Sequence, residues 1–490
     1  MKILLINAKP QPDNEPYKKA YTTLPNGILY IASVLEKAGH EVRVCDGFID
    51  GRRPEDFVDW QPRIIGFSVI GGPYMEAAMA QSARFKELLP DCAIVWGNVT
   101  PSAIPEQVLA EPYVDFVVIG AGEFTMVELA ASFETGSIEL SDIKGLGYKL
   151  DGNAVLNERR PFIKNLDDLP DPAWHLVDMK KYTEIGLTTS RGCAFQCAYC
   201  YHSSLSKGYT AEFSAERVIL QIEYVHSQYG ARFVSFFNED NFTFNRKRLR
   251  EFCRLMIERK IKVKWSCDSR ADLSEADIAL MAKAGCVTIR FGLETGSQRM
   301  LDFLHKGITL ADMERTVALL VKHRIHTLVY IMYGFPTETV ADFQATQELL
   351  KRMDNPPHLF SRFVPFPGSA LSDYCVSHKL VVFPEKLGDW PDFLTAHGHR
   401  INLSQVPDNM IAETAARWRH NYAKDRFIFT MKHYPVEFWR MVANPVKFSR
   451  ELAGLLRRYF QLNRFNESVM HQRNLSPNQS SRLAKEVTIS

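Results

Sequence analysis

Residues 185–202, "IGLTTSRGCAFQCAYCYH", join a short apolar strand to three cysteines that lie within eight residues: Cys193, Cys197 and Cys200. Soft thiolates select zinc, copper(I) or iron–sulfur clusters. Three thiolates are one ligand short of a closed zinc site, which His202 could complete. Alternatively, a 4Fe–4S cluster held by three cysteines leaves one iron open to an outside ligand.

An alternation of strands and helices runs from Glu184 to about Ser372. The predicted strands are "IGLTTS", "FVSFFNED", "VKWSCDS", "VTIRFGLE", "TLVYIMYGF" and "LFSRFVPF". Six such repeats predict a parallel barrel or partial barrel, with its chemistry at the carboxyl ends of the strands. Candidate site residues fall at those ends: the cysteines, Glu239, Asp240, Asp268, Arg270, Glu294 and Gly334.

The cysteine spacing, with aromatic Tyr199 before the last cysteine, resembles the signature of the radical S-adenosylmethionine (SAM) superfamily. The segments "FFNEDNFTFN", "WSCDSR", "IRFGLETGS", "YIMYGFPTET" and "FVPFPGSAL" resemble later strand ends of that family. The resemblance implies that Cys193, Cys197 and Cys200 hold a 4Fe–4S cluster. The open iron would bind SAM, and Tyr199 would pack near its adenine.

The same resemblance implies roles for residues at the later strand ends. Glu239 or Asp240 would lie near the SAM amino group, and Arg270 would meet the SAM carboxylate. Glu294 would reach the ribose, and the backbone at Gly334 would meet the adenine. Each acid could instead cap the helix that follows its strand, and Arg270 could belong to a structural ion pair.

Residues 1–140 show the same alternation, which predicts a parallel doubly wound sheet. Ligands bind such sheets at the carboxyl ends of the strands, where Asn7, Ser68, Gly97 and Gly120 fall. The segments "MKILLIN", "IIGFSVIGG", "WGNVTPSAIPEQVL" and "DFVVIGAGEFTMVEL" resemble the cobalamin-binding domain that precedes many radical SAM barrels. The glycines would let a cobalamin tail approach the backbone. A sheet that binds no cofactor and only braces the barrel is the alternative.

A histidine that could ligate cobalt is not apparent in this domain. The loop from Ala8 to Asn26 contains none, and "DGFIDG" has Phe48 where a similar motif of cobalamin mutases has its histidine. We therefore expect base-off cobalamin, with water or nothing below the cobalt. Tyr17 and Tyr21 in the first loop could pack against the corrin or merely cover the sheet.

The remaining domain organisation is predicted from composition and pattern. Pro- and Asp-rich residues 141–183 indicate a linker, and residues 184–375 form the expected radical SAM core. Residues 376–465 predict a helical carboxyl-terminal domain, and residues 466–490 a disordered tail. The helical domain is basic and aromatic, so its helices could pack on the barrel or lie at a membrane surface.

The bulk composition is ordinary for a globular chain of several domains, with 490 residues, 46% hydrophobic and 24% charged. A net charge of +2 gives no field that would recruit nucleic acid. We see neither a signal peptide nor an apolar run of about 18 residues, and therefore expect a cytoplasmic protein. Four isolated cysteines are expected to be small buried hydrophobes: Cys253, Cys267, Cys286 and Cys375.

The combined resemblance implies a cobalamin-dependent radical SAM enzyme that methylates an unactivated carbon of a small molecule. A 5′-deoxyadenosyl radical would remove a hydrogen atom, and methylcobalamin would deliver the methyl group. The expected cofactors are a 4Fe–4S cluster, SAM and cobalamin, with flavodoxin or ferredoxin as electron donor.

Other functions remain to be distinguished from this one. A radical SAM cyclase or rearrangement enzyme would lack net methyl transfer, like the anaerobic magnesium-protoporphyrin cyclase or hopanoid- and lipid-modifying relatives. A tRNA methylthiotransferase is disfavoured, because the first domain contains only Cys45 and Cys92 where those enzymes have three cluster cysteines. A cobalamin-binding module without catalysis is disfavoured by the intact cysteine motif.

Overall fold

The architecture, seen in a computed structural model, consists of two mainly parallel sheets followed by a long helix. The structure describes residues 1–9, 22–236, 241–394 and 402–434. The described residues up to Pro407 belong to one compact unit, and the long helix belongs to a second.

Several sequence predictions lie outside the described residues. They are the corrin contacts of Tyr17 and Tyr21, the SAM contacts of Glu239 and Asp240, residues 435–465 of the helical carboxyl-terminal domain, and the disordered tail 466–490.

The described strands of the first sheet are β1 (Lys2–Asn7), β2 (Glu41–Asp46), β3 (Ile64–Ser68), β4 (Ala93–Gly97), β5 (Phe116–Val118), β6 (Leu146–Leu150) and β7 (Asn153–Leu156). Their order is β2-β1-β3-β4-β5-β6-β7. The first five are parallel, and the last two pair antiparallel. Continuous apolar runs form the parallel strands because helices cover both faces of such a sheet.

The helices of this region are α1 (Asn26–Lys37), α2 (Pro73–Leu88), α3 (Val99–Ala103), α4 (Pro105–Leu109) and α5 (Glu123–Thr135). They alternate with the parallel strands, so the predicted doubly wound α/β fold is confirmed. The α5 helix ends at Gly136, whose φ of +61° provides the left-handed turn that often closes a helix.

Residues 146–156 differ from the predicted linker, because they form β6 and β7. Phe116 and Tyr148 are register partners, and β6 thereby covers the edge of β5. Leu146 and Tyr148 are buried by this pairing. Burial of these apolar side chains favours strands here. The Pro- and Asp-rich composition that predicted a linker belongs to the later part of residues 141–183. The exact domain boundaries stay predictions.

The second sheet follows in the chain. Its described strands are β8 (Ile185–Gly186), β11 (Phe233–Phe236), β12 (Lys264–Ser269), β13 (Cys286–Glu294), β14 (His326–Tyr333) and β15 (His358–Arg362); β9 (Ser190–Arg191) and β10 (Ala211–Glu212) form a separate antiparallel pair. The six parallel strands have the order β15-β14-β13-β12-β11-β8. Each overlaps a predicted strand segment, so the predicted partial (β/α)6 barrel is confirmed.

The helices of the barrel region are α6 (Tyr201–Leu205), α7 (Ala215–Tyr229), α8 (Arg246–Glu258), α9 (Glu275–Lys283), α10 (Gln298–Phe303), α11 (Leu310–Lys322), α12 (Val340–Arg352), α13 (Ala370–Ser377) and α14 (Trp390–Phe393). Polar side chains cap the starts of α7 to α13. The α11 and α12 helices begin with capping boxes, Thr309 with Asp312 and Thr339 with Asp342, which satisfy amides of the first turn. Farther on, α15 (Asp408–His433) shows the helical character expected of the carboxyl-terminal region.

A continuous cluster of buried apolar side chains extends from the first sheet into the barrel. It includes Phe67 and Trp96 from the first sheet and Phe335 and Trp390 from the barrel region. The two sheets therefore share one core, which fixes their relative position. Within the described ranges, no helix has the length and apolar composition needed to cross a membrane.

Candidate active site

The three cysteines of the motif lie on the loop between β9 and α6, and none of them forms a disulfide bond within the described part of the chain. Cys197 is buried, and the other two are half-buried. Backbone hydrogen bonds hold the loop on both sides. The Ala198 N–H donates to the Leu304 carbonyl (2.9 Å), and the Leu371 N–H donates to the Ala198 carbonyl (2.8 Å). The barrel thus presents the thiols on a fixed backbone.

Gly192 explains how the chain enters this loop. Its φ is +78°, and a Cβ atom added there would lie 2.2 Å from the backbone oxygen of Tyr209. Only glycine fits without displacement of the neighbouring backbone. Glycine is therefore required at position 192, because the backbone at Tyr209 packs closely against it.

A single ion and a cluster place different demands on the three thiols. Among the described residues, no group of three or more His, Cys, Asp or Glu side chains could hold one metal ion. Zinc would require four ligands that converge on one point. In a 4Fe–4S cluster each cysteine ligates a different iron, and the thiolates can lie farther apart.

Arg270 lies against the cysteine loop. Its Nη1 is 3.6 Å from the Cys197 Sγ, its Nη2 donates to the Lys306 carbonyl, and its guanidinium carbon lies 3.8 Å from the centre of the Phe195 ring. Its buried Nε has no hydrogen-bond partner among the described residues. A cation and a free donor beside a thiol favour thiolate ligation and leave a hydrogen bond for an anionic group such as a carboxylate.

Lys306 contacts both Tyr199 and Glu294. The Tyr199 hydroxyl donates to Glu294 Oε1 (2.8 Å). Lys306 Nζ donates to the same carboxylate oxygen (2.8 Å) and to the tyrosine oxygen (2.9 Å). Burial, followed by the charge of Glu294, raises the pKa of Tyr199 well above its usual value. The phenol therefore stays protonated and donates to the carboxylate.

The position of Glu294 depends on an irregularity at the end of β13. The register with β14 shifts between Gly292 and Glu294, and Glu294 has a φ of +63°. Bulges of this kind re-aim side chains beside active sites, and left-handed non-glycine residues concentrate there. A Cβ atom on Gly292 would lie 1.9 Å from Glu294 Oε1, so the missing side chain makes room for the carboxylate.

Gly334 lies just beyond β14 and has a φ of +82°. Its N–H donates to Glu338 Oε2 (2.7 Å), as does the Phe335 N–H (3.2 Å). Burial raises the pKa of Glu338 to about 7, and the two amides only partly oppose that effect. Glu338 thus holds the glycine turn that the sequence predicts beside the adenine. The Phe335 ring lies 6.1 Å from that of Tyr199.

The predicted cobalamin residues lie along the carboxyl edge of the first sheet. Asn7 ends β1, Ser68 and Gly97 are register partners at the ends of β3 and β4, and Gly120 follows β5. A Cβ atom on Gly120, which has a φ of +84°, would contact nothing within 4 Å. The open backbone fits the close approach of a long ligand.

Two exposed apolar side chains flank this edge. Ile70 is 53% exposed just after β3, and Phe124 is 41% exposed at the start of α5. Apolar surface at the ligand-binding edge of a sheet fits the flat face of a macrocycle. His40, the sole histidine of residues 1–140, precedes β2 at the opposite edge and is 3.4 Å from the amino-terminal nitrogen. Base-off cobalamin therefore stays our prediction.

Sequence reasoning missed three residues of this site. Lys306, Phe195 and Glu338 each contact a predicted residue, but nothing in their local sequence pattern distinguishes them. By contrast, the isolated cysteines Cys253, Cys267, Cys286 and Cys375 are all buried, as predicted. The cofactor roles of the individual residues stay predictions.

Comparisons with known proteins agree with this architecture. Residues 187–350 match the radical SAM superfamily, and residues 18–130 match the B12 binding domain. The uncharacterized methyltransferase PH0819 of Pyrococcus horikoshii is 32% identical over 396 residues, which cover 78% of this chain and 84% of that protein. The anaerobic magnesium-protoporphyrin IX monomethyl ester cyclase of Cereibacter sphaeroides is 28% identical, over 71% of this chain and 59% of the cyclase.

A solved structure shares the fold. The radical SAM methyltransferase TsrM from Kitasatospora setae, with cobalamin and a [4Fe-4S] cluster bound, superposes with a TM-score of 0.67 at 19% identity, covering 77% of this chain and 78% of TsrM. Two domain matches in the expected order and a relative aligned over most of both chains identify the family. The chain belongs to the cobalamin-dependent radical SAM methyltransferase family, whose cofactors are a 4Fe–4S cluster, SAM and cobalamin.

Proposed function

We propose that this enzyme methylates an unactivated carbon of a small molecule. One contact carries the proposal. Arg191, two residues before the first cysteine of the motif, donates from Nη2 to Oε1 of Glu123 (2.5 Å), the first residue of α5. This ion pair ties the cysteine loop to the edge of the cobalamin sheet, three residues beyond Gly120. Methyl transfer requires such proximity between the methyl donor and the site of hydrogen abstraction.

The residues of the site have separable tasks. When bound, the cofactors supply reductive cleavage of SAM and a transferable methyl group. Cys193, Cys197 and Cys200 would hold the cluster, and Arg270 would balance thiolate charge at its edge. The buried Lys306–Glu294 pair, with Tyr199, would orient SAM through hydrogen bonds and exclude water. An outside electron donor such as flavodoxin or ferredoxin would reduce the cluster.

Anaerobic reconstitution tests this function. The purified chain would be loaded with iron, sulfide and cobalamin, reduced, and supplied with SAM that carries a deuterated methyl group. Thiolate-to-iron absorption would report the cluster, and corrin bands would report cobalamin. Chromatography with mass spectrometry would then detect 5′-deoxyadenosine and a labelled methyl group on candidate substrates drawn from neighbouring genes.

A cysteine variant provides the matched control. Cys197→Ala should abolish both the cluster absorption and 5′-deoxyadenosine, whereas Cys253→Ala, which removes a buried thiol distant from the motif in sequence, should retain both. Full SAM cleavage by Cys197→Ala would refute the radical SAM role. Formation of 5′-deoxyadenosine with a modified but unmethylated product would favour a cyclase or rearrangement, the reaction class of the Cereibacter relative.

A further inference from the structure

The inner face of the partial barrel carries a row of small side chains. Gly186, Ser235, Ser266 and Thr288 are successive register partners across β8, β11, β12 and β13. Register partners in parallel strands point to the same face of the sheet, and alternate residues such as Trp265 point to the other face. Because these side chains are small, larger side chains at neighbouring positions can occupy the middle of the barrel.

An ion pair occupies the next position along the same face. Asp268 follows Ser266 by two residues, and Arg290 Nε donates to its Oδ1 (2.8 Å). The Arg290 guanidinium carbon lies 5.8 Å from the centre of the Tyr330 ring, on β14. The side chains of the pair remain 23% and 19% exposed. A molecule that enters the barrel can therefore reach them.

Glu184 adds a second acid that lacks a partner. It immediately precedes β8 and is 6% exposed, and its Oε1 has no hydrogen bond to any described residue. Burial is the main cause that raises the pKa of Asp268 to about 6, and the charge of Glu184 contributes. Burial, followed by the charge of Asp268, raises the pKa of Tyr330, and the charge of Glu184 contributes. Because Glu184 precedes Gly186 by two residues, its side chain points to the same face of the sheet as the row of small residues.

The unsatisfied acceptors of this region indicate the chemistry of a ligand. Besides Glu184 Oε1, the buried hydroxyls of Ser235 and Ser266 lack a hydrogen-bond partner within the described part of the chain. Buried polar groups are rarely left unpaired, because their desolvation is costly. The carboxylates of Glu184 and Asp268 outnumber the guanidinium of Arg290 by one charge. A single ammonium group would balance that charge and donate up to three hydrogen bonds.

We propose that the substrate carries a protonated amine, and that Glu184 together with the Asp268–Arg290 pair binds this amine on the inner face of the barrel. The inference rests on the proposed function, because it names the class of substrate for that reaction. Glu184 acts here as a specificity-determining residue. A carboxylate-bearing substrate would be repelled at the same position, and a neutral alcohol would leave the charge unbalanced.

Equilibrium binding to the reconstituted full chain tests the site. Butylammonium, butanol and butyrate provide probes of one size with positive, neutral and negative head groups. We expect butylammonium to bind the wild type more tightly than either other probe, with an affinity that falls about tenfold or more in Glu184→Gln. Glu158→Gln, which changes an exposed acid, should retain wild-type affinity. Equal binding of the three probes, or unchanged affinity in Glu184→Gln, would overturn the proposal.

Stability separates a binding role from a structural one. Without a probe, Glu184→Gln should unfold at the wild-type temperature or above it, because an unpaired buried charge is removed. A clear fall in that temperature would contradict the proposal. Asp268→Asn, as a second variant, should also weaken butylammonium binding. Wild-type 5′-deoxyadenosine formation is measured in parallel: its absence counts against the proposed function, whereas its presence without amine selectivity counts against this inference alone.

Discussion

Lys306 shows how strongly this site depends on a single buried cation. Its ammonium group contacts both Glu294 and Tyr199, and the side chains of the Lys306–Glu294 pair are each 7% exposed. A buried ion pair has little net advantage over well-packed apolar residues. Removal of one partner is nevertheless costly, because the other charge remains buried and uncompensated.

Lys306→Met should therefore lower the free energy of unfolding by about 3–5 kcal/mol. Adding Glu294→Gln should recover much of that loss, because the stranded carboxylate is then neutral. Urea denaturation of the cofactor-free chain measures both effects. Lys322→Met, in an exposed pair, is the control and should cost less than about 1 kcal/mol. A loss in Lys306→Met no larger than the control would contradict the importance of the pair.

Glu338 makes stability depend on pH. Its pKa is raised to about 7 in the folded protein, mainly by burial, whereas a glutamate in an unfolded chain titrates near about 4.3. Between these values the folded state binds more protons, so its stability falls as the pH rises through this window. Glu338→Gln should reduce that fall, by up to about 3 kcal/mol.

Urea denaturation of the cofactor-free chain at about pH 5 and about pH 8 measures this difference. Asp268, with a pKa raised to about 6, contributes with the same sign, so part of the slope should persist in Glu338→Gln. Glu158→Gln is the control and should leave the slope unchanged. An unaltered slope in Glu338→Gln would show that its pKa is ordinary.

At the scale of elements, the end of β13 combines two glycines with different physical tasks. A Cβ atom on Gly292 would meet the ends of two side chains, 1.9 Å from Glu294 Oε1 and 2.7 Å from Lys306 Nζ. A Cβ atom on Gly296 would instead meet backbone, 2.5 Å from the Ala345 oxygen. Side-chain ends can move aside at small cost, whereas a packed helix cannot.

The variants Gly292→Ala and Gly296→Ala should therefore affect different properties, SAM binding in the first and stability in the second. Gly292→Ala should weaken SAM binding to the reconstituted enzyme by about tenfold, with a loss of stability below about 1 kcal/mol. Gly296→Ala should cost about 1–3 kcal/mol of stability, since it separates α12 from the strand end. Calorimetric titration and urea denaturation make the comparison, with Gly388→Ala as control at an uncrowded position. Equal stability losses in both variants would refute the distinction.

At the scale of the whole molecule, polar contacts join the cobalamin sheet to the barrel. The Tyr182 hydroxyl donates to Asp46 Oδ2 (2.8 Å), and Asn26 Nδ2 donates to the Gly186 carbonyl (3.0 Å). The Arg191–Glu123 pair is the contact nearest to the cysteine motif in sequence, and Glu123 is 3% exposed. The two cofactor regions are thus coupled through buried groups.

Arg191→Met should strand the Glu123 carboxylate and cost about 3–5 kcal/mol of stability. It should also reduce the corrin absorption retained after reconstitution, because Glu123 begins the helix beside Gly120. Arg191→Met combined with Glu123→Gln should recover stability. Arg254→Met, in an exposed pair with Glu258, is the control and should cost less than about 1 kcal/mol. A variant that kept both wild-type stability and cobalamin would argue against this coupling.

The sequence by itself determined the chemistry and the succession of elements. The spacing of Cys193, Cys197 and Cys200, with Tyr199 among them, predicted a cluster and SAM, and family membership supports both cofactors. Apolar runs separated by helical periodicity predicted both parallel sheets, because burial on two faces imposes that pattern locally. Local signals of this kind require no knowledge of distant contacts.

Only the tertiary structure decided how the site is completed. Lys306 reaches Glu294 and Tyr199 from a segment after α10, and Arg191 reaches Glu123 across 68 residues of chain. The addition of β6 and β7 to the first sheet likewise depends on the exposed edge of β5. Ion pairs and edge pairings are set by proximity in space, which no local pattern encodes. For that reason the cofactors could be inferred from the sequence, whereas the buried network around them could not.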